Sequence, residues 1–196
     1  MLHILANMAD SRFEIISTPI EGVKIIQRKP LMDKRGFFER IFCATELDSV
    51  LQGENLSQIN HSFTRDPGTI RGMHLQMPPY SEIKIVTCLR GEVFDVALDL
   101  RAGSKTFLRW HAERLTENNY KSLLIPKGVA HGFQTITIDC ELIYFHSNPF
   151  AEFSEFGVNP LDPFIRIKWP LDATEISARD KSHQFLNTEF GGFHVL

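Results

Sequence analysis

Two strand pairs, each closed by a tight turn, constrain this chain most. "EIKIVTCL" passes through "RGE" into "VFDVALDL", and "GFQTITI" passes through "DC" into "ELIYFHS". Apolar residues alternating at a period of two, with turn residues at the reversal, mark an antiparallel hairpin. "FEIIST", "GVKIIQR", "GFFERIF", "TFLRWHAERL", "SLLIP" and "FIRIKWP" are expected to be further strands. The one convincing helix is "ATELDSVLQG", where Leu47, Val50 and Leu51 share a face and Gly53 is a stop signal. Many short strands with little helix imply a β-sandwich, jelly roll or barrel. The interior of such a barrel is the natural place for a site. The 196 residues show no linker and no repeat, so residues 1–196 read as one domain.

Charge and cysteine use exclude several classes. The net charge is −3 with acids and bases mixed along the chain, which supports neither a nucleic-acid nor a membrane partner. Cys43, Cys88 and Cys140 show no paired spacing, so a reducing cytoplasm fits best. "MLHILANMA" is apolar but short and lacks a basic leader, which makes it a weak signal-peptide candidate. No apolar run approaches membrane-spanning length.

Polar residues interrupt the strands. In "GTIRGMHLQ", Arg71 and His74 either face solvent from an edge strand or point into the barrel. Lys84 stands in "IKIV", and lysine is seldom buried without a partner. Asp95 and Asp99 share a face of "VFDVALD", where they either pair with Arg or Lys inside the barrel or face water. Tyr144 alternates with Leu142 and His146, and a tyrosine in a β core is often packing with one satisfied hydroxyl.

"PKGVAHGF" resembles the second half of the cupin signature, in which the histidine, here His131, binds a metal. The first half of that signature is His-x-His followed by Glu. This chain has only His74 there, followed by Leu75 and Gln76, with Glu82 eight positions on. About three protein ligands are needed for a stable transition-metal site, and His74 and His131 make two. The expectation is a cupin barrel without its metal site.

Longer blocks occur in a fixed order: "DKRGFFERIF", "GTIRGMHLQMPP", "IKIVTCLRGEVFDVALDLR", "SKTFLRWHAERLT", "LLIPKGVAHGFQTI", "LIYFHS", "NPLDPFIRIKWP" and "ISARDKS". Together they resemble the dTDP-4-dehydrorhamnose 3,5-epimerase family, the RmlC-like cupins, over roughly residues 18–185. The resemblance implies an all-β, double-stranded β-helix (jelly-roll) barrel with one or two short helices. It also implies a homodimer, no metal, no organic cofactor, and a nucleotide-linked 4-keto-6-deoxy sugar as substrate. Carbons beside the ketone would be inverted, in the biosynthesis of dTDP-rhamnose or a related sugar.

By the same resemblance, His74 in the R-G-x-H block is the base and Asp180 in the S-x-x-D block orients it. Lys84 and Tyr144 complete the catalytic set. Arg35, Phe38, Gln58, Asn60, Arg71, His131 and Phe150 match substrate-binding positions, with Arg71 on the diphosphate. The chemistry is coherent. A neutral histidine suits proton abstraction near neutral pH, and an aspartate fixes its tautomer. A lysine stabilises the enolate oxygen. A tyrosine, protonated below pH of about 10, returns a proton from the other side.

Two departures stand out. Phe150 occupies a position where a tyrosine is expected, and Arg40 stands where the early block has an acid, with Glu39 one place early. Two other classes remain: a metal-dependent cupin enzyme (dioxygenase or isomerase), and a non-catalytic sugar-nucleotide binding protein.

Overall fold

Fourteen strands and two short helices make up the computed structural model, which describes residues 11–195; the leader candidate at residues 1–9 lies outside them. The strands are β1 (Phe13–Ser17), β2 (Lys24–Arg28), β3 (Leu31–Asp33), β4 (Gly36–Phe38), β5 (Gln58–Thr64), β6 (Thr69–Gln76), β7 (Lys84–Arg90) and β8 (Glu92–Asp99). They continue with β9 (Trp110–Thr116), β10 (Lys121–Ile125), β11 (Val129–Thr135), β12 (Cys140–His146), β13 (Glu155–Gly157) and β14 (Glu175–Ile176). Helix α1 is Ala44–Leu51 and α2 is Ala178–Ser182. One sheet runs in the order β1-β2-β10-β7-β12-β5, and the other β13-β6-β11-β8-β9 with β14 pairing β6 in parallel. A small hairpin, β3–β4, stands apart. This is the expected cupin-like jelly roll.

Alternation decides which side of each strand does what. Val86, Cys88, Leu123, Ile125 and Leu142 of the first sheet meet Val93, Ala97, Leu115, Val129 and Phe133 of the second, forming the core between them. The intervening residues Ile26, Ile85, Leu124 and Phe145 point outward and are covered by Leu47 and Leu51 of α1. The outer face of the second sheet, with Met73, Leu75, Val96 and Leu98, is covered by the C-terminal chain through Ile165, Trp169, Phe190 and Phe193. Both faces of β7 and β8 are therefore buried, which is why these strands read as nearly continuous apolar runs. Each fully buried Leu or Ile contributes about 1.5–3 kcal/mol.

Neither expected hairpin forms: β7 pairs with β12 in the first sheet and β8 with β11 in the second, so the turns at "RGE" and "DC" carry the chain from one sheet to the other. Three expected strands also change. "GFFERIF" keeps only β4, and Glu39 turns inward to pair with buried Arg28 at 2.8 Å. "FIRIKWP" is irregular: Arg166 takes a left-handed φ of 55°, and the Trp169 indole N–H donates to Pro160 O at 2.8 Å. Its apolar residues cover a sheet rather than join one. In "TFLRWHAERL", Leu108 has a φ of 61° and pairing starts only at Trp110. The helix behaves as read, although the left-handed reversal begins at Gln52, one residue before Gly53.

Candidate active site

β6 and β11 carry the R-G-x-H and H-G-F blocks side by side, with His74 and His131 as register partners. A Cβ at Gly72 would lie 2.6 Å from the Gly132 Cα, and one at Gly132 would lie 2.5 Å from the Met73 sulfur. The two motif glycines thus permit a backbone approach that no other residue allows. Freed of a side chain, the Gly72 N–H donates to Asp180 Oδ2 at 3.1 Å, while Asp180 Oδ1 lies 2.8 Å from His74 Nε2.

Asp180 is buried and is delivered by α2, whose N-cap Ser177 accepts from the Asp180 N–H at 3.0 Å. Burial raises the Asp180 pKa, but the His74 hydrogen bond and charge and the Gly72 N–H outweigh it and hold it at about 2. The carboxylate is acceptor-only, so His74 Nε2 carries the proton and Nδ1 is the nitrogen that can accept one. Arg179 Nη2 also lies 3.2 Å from His74 Nε2. A guanidinium cannot accept that proton, so the shorter Asp180 contact takes it, and Arg179 ion-pairs with Glu155 at 2.8 Å.

The facing wall comes from the first sheet, where β5, β12 and β7 lie side by side. Tyr144 packs with the core and its hydroxyl lies 3.0 Å from Ser62 Oγ. Burial raises the phenol pKa well above its ordinary value, only partly offset by the Ser62 hydrogen bond, so Tyr144 stays protonated. Lys84 is nearly buried; its Nζ lies 3.1 Å from Glu82 Oε1 and 3.4 Å from the His74 carbonyl. His131, also buried, meets Asp95 Oδ1 at 2.8 Å. Burial raises the Asp95 pKa against the pull of His131, and its Oδ2 has no partner.

A cavity of about 660 Å³ brings together His74, Asp180, Lys84, Tyr144, Arg71, His131, Gln58, Asn60 and Phe150. Arg71 is anchored by Nε donating to Thr64 Oγ1 at 3.1 Å. Arg35 and Phe38 do not line it: they sit exposed on the β3–β4 hairpin, where Arg35 pairs with Asp33 at 2.6 Å. Arg40 likewise pairs with Glu46 outside the cavity. Asp95 finds a histidine rather than Arg or Lys, whereas Asp99 pairs with Arg101 at 2.8 Å.

Several lining groups escaped the sequence reading, among them Ser62, Glu82, Glu155, Glu175 and Arg179. β5 offered a usable signal. Its alternation is inverted, with Ile59 and Phe63 outside and Gln58, Asn60 and Ser62 toward the cavity. His74, Asp180 and His183 also place possible ligand atoms within 4.8 Å of one another. The Arg179 guanidinium beside His74 opposes a cation there.

A histidine and a tyrosine on opposite walls of a jelly-roll cavity, with a carboxylate hydrogen-bonded to the histidine, are an arrangement suited to a cupin-fold isomerase. Comparison with known proteins narrows the class. The profile of the dTDP-4-dehydrorhamnose 3,5-epimerase family matches residues 17–188, and the chain belongs to that family. It is 35% identical over 178 residues to the dTDP-4-dehydrorhamnose 3,5-epimerase of Shigella flexneri, covering 90% of this chain and 98% of that protein. It is 36% identical over 163 residues to a dTDP-4-dehydrorhamnose 3-epimerase of Streptomyces niveus, covering 83% and 78% of the two chains. Its fold matches the dTDP-6-deoxy-D-glucose-3,5-epimerase of Legionella pneumophila, solved with dTDP-4-keto-L-rhamnose, with a TM-score of 0.86 and 34% identity over 94% and 100% of the two chains.

Proposed function

We propose that this protein inverts C3, C5 or both in a dTDP-linked 4-keto-6-deoxy sugar, using side chains alone. The observation that carries this reading is the placement of His74 and Tyr144 on opposite sheets lining one cavity. His74 Nδ1 removes the proton beside the ketone, and Asp180 stabilises the imidazolium that forms. The electrons move to the ketone oxygen, and the Lys84 ammonium stabilises the resulting enolate. Tyr144 returns a proton to the opposite face of the carbon, which inverts it. Arg71 holds the diphosphate through its remaining N–H groups.

The chain acts as one domain in a cytoplasmic homodimer. Supporting this, Leu31, Met32, Phe37 and Phe38 on the hairpin and Ile59 and Phe63 on the edge strand β5 are large apolar side chains exposed among the described residues. In such a dimer Arg35 and Phe38 would serve the partner's cavity rather than their own. The test is incubation with dTDP-4-keto-6-deoxyglucose in deuterated water. Deuterium at C3, C5 or both is expected, and His74→Ala should lose roughly a hundred- to ten-thousand-fold of the exchange. Wild-type exchange persisting in that variant would refute the assignment.

A further inference from the structure

An unbroken line of hydrogen bonds crosses the first-sheet wall, and one fixed donor sets its polarity. The Phe150 backbone N–H can only donate, and it does so to Gln58 Oε1 at 2.9 Å. Gln58 must then present Nε2 to Asn60 Oδ1, at 3.0 Å. Asn60 is left with Nδ2 facing His146 Nε2, at 3.4 Å, so that nitrogen must be an unprotonated acceptor. The His146 proton therefore sits on Nδ1 and is donated to Glu82 Oε2 at 2.9 Å. The other Glu82 oxygen takes Lys84 Nζ. Burial raises the Glu82 pKa, but His146 and Lys84 outweigh it and keep it a carboxylate able to accept from both.

We propose that Glu82 and His146 are positioning residues for the reaction: Glu82 aims the Lys84 ammonium, and neutral His146 ties that lysine to the Phe150 rim of the cavity. Protonating His146 would set Nε2–H against the Asn60 N–H₂. Turning the Asn60 amide to relieve this puts its N–H₂ against Gln58. Turning Gln58 in its turn removes the acceptor from Phe150 N–H. One proton on His146 Nε2 thus loosens the rim.

The charged and titratable groups around His146 are Glu82 and Lys84 from the segment entering β7, Tyr144 on its own strand, and Arg71, His74 and Asp180 across the cavity. β5 contributes His61, which is taken up by Glu141 at 3.2 Å.

The inference deepens the proposed activity and rests on it for its kinetic arm only. In ¹⁵N-labelled protein without ligand, His146 should carry its proton on Nδ1 at about pH 8. On acidification the exchange protection of the Phe150 amide should fall severalfold in wild type and not in His146→Gln, whose amide donates and accepts as neutral histidine does but does not titrate. A proton on Nε2, or equal loss of protection in both proteins, would overturn the relay. In turnover of the dTDP-linked 4-keto sugar, Glu82→Gln should lower kcat by about tenfold with KM within about twofold, less than the loss on removing an oxyanion donor itself. Unchanged kcat would overturn the role of Glu82. A wild type that turns over no such sugar refutes the activity, while the amide measurement still decides the relay.

Discussion

Replacing Asp180 by asparagine tests the proton assignment with almost no change in volume. Asp180 serves two donors at once, the Gly72 N–H at 3.1 Å and His74 Nε2 at 2.8 Å. Asparagine has one oxygen to share between them. If that oxygen stays on Gly72, the N–H₂ faces His74 and drives its proton to Nδ1, which disables the base. If the oxygen turns to His74, two buried N–H groups oppose each other, at about 1–3 kcal/mol. The charge-assisted bond to the developing imidazolium is lost as well, for roughly 1–2 kcal/mol more. The total is about 2–5 kcal/mol in the barrier, so kcat should fall roughly thirtyfold to several thousandfold. The assay is solvent-deuterium incorporation into the sugar, with the His74 tautomer read by ¹⁵N NMR and folding checked by thermal melting. A folded Asp180→Asn protein with kcat within about threefold of wild type, and His74 still protonated on Nε2, would refute the reasoning.

Other outcomes follow from the same geometry. Tyr144→Phe removes only a hydroxyl held by Ser62, so the fold should survive. Deuterium should then enter with configuration retained, and inversion at the normal rate would assign the donor elsewhere. Lys84→Gln keeps a donor but loses the charge, and kcat should fall about a hundredfold or more while nucleotide binding changes little; a loss confined to KM would make Lys84 a binding group. Phe150→Tyr restores a hydroxyl at an exposed rim position, and should shift the ratio of single to double inversion, or the preference between two sugar nucleotides, by a factor of about 2–10. Identical product ratios would show that Phe150 is packing only. Lowering the pH should destabilise the fold between about pH 4 and pH 2, because the Asp180 pKa is depressed on folding: its contribution is present above the unfolded pKa and lost as pH falls through the folded one. Asp180→Ala should have a weaker dependence of melting temperature on pH in that window; an unchanged dependence would remove Asp180 from the account.

The local pattern determined much of this protein. Apolar positions and the turn residues at "RGE" and "DC" mark β7, β8, β11 and β12 as strands, because a strand buried on one or both faces must show it in its apolar positions, but the pairing they suggest is not the one formed: each turn crosses between the sheets. Helix α1 was legible for the same reason, through Leu47 and Leu51. The order of motif blocks named the cavity residues His74, Lys84, His131 and Tyr144, which lie on strands whose register the core fixes.

Only the tertiary structure decided the rest. "FIRIKWP" alternates like a strand, but its apolar residues are used to cover the outer face of the second sheet, and no local signal distinguishes covering a sheet from joining it. β5 alternates visibly, but its polar face points to the cavity, the reverse of an ordinary strand, and alternation alone does not tell a cavity from solvent. Asp180 lies 106 residues from His74, and only the docking of α2 against β6 fixes which nitrogen the proton occupies. Arg35 and Phe38 carry the motif spacing yet stand outside the cavity of their own chain, because spacing records neighbours along the backbone, whereas a site is assembled from elements that meet across it.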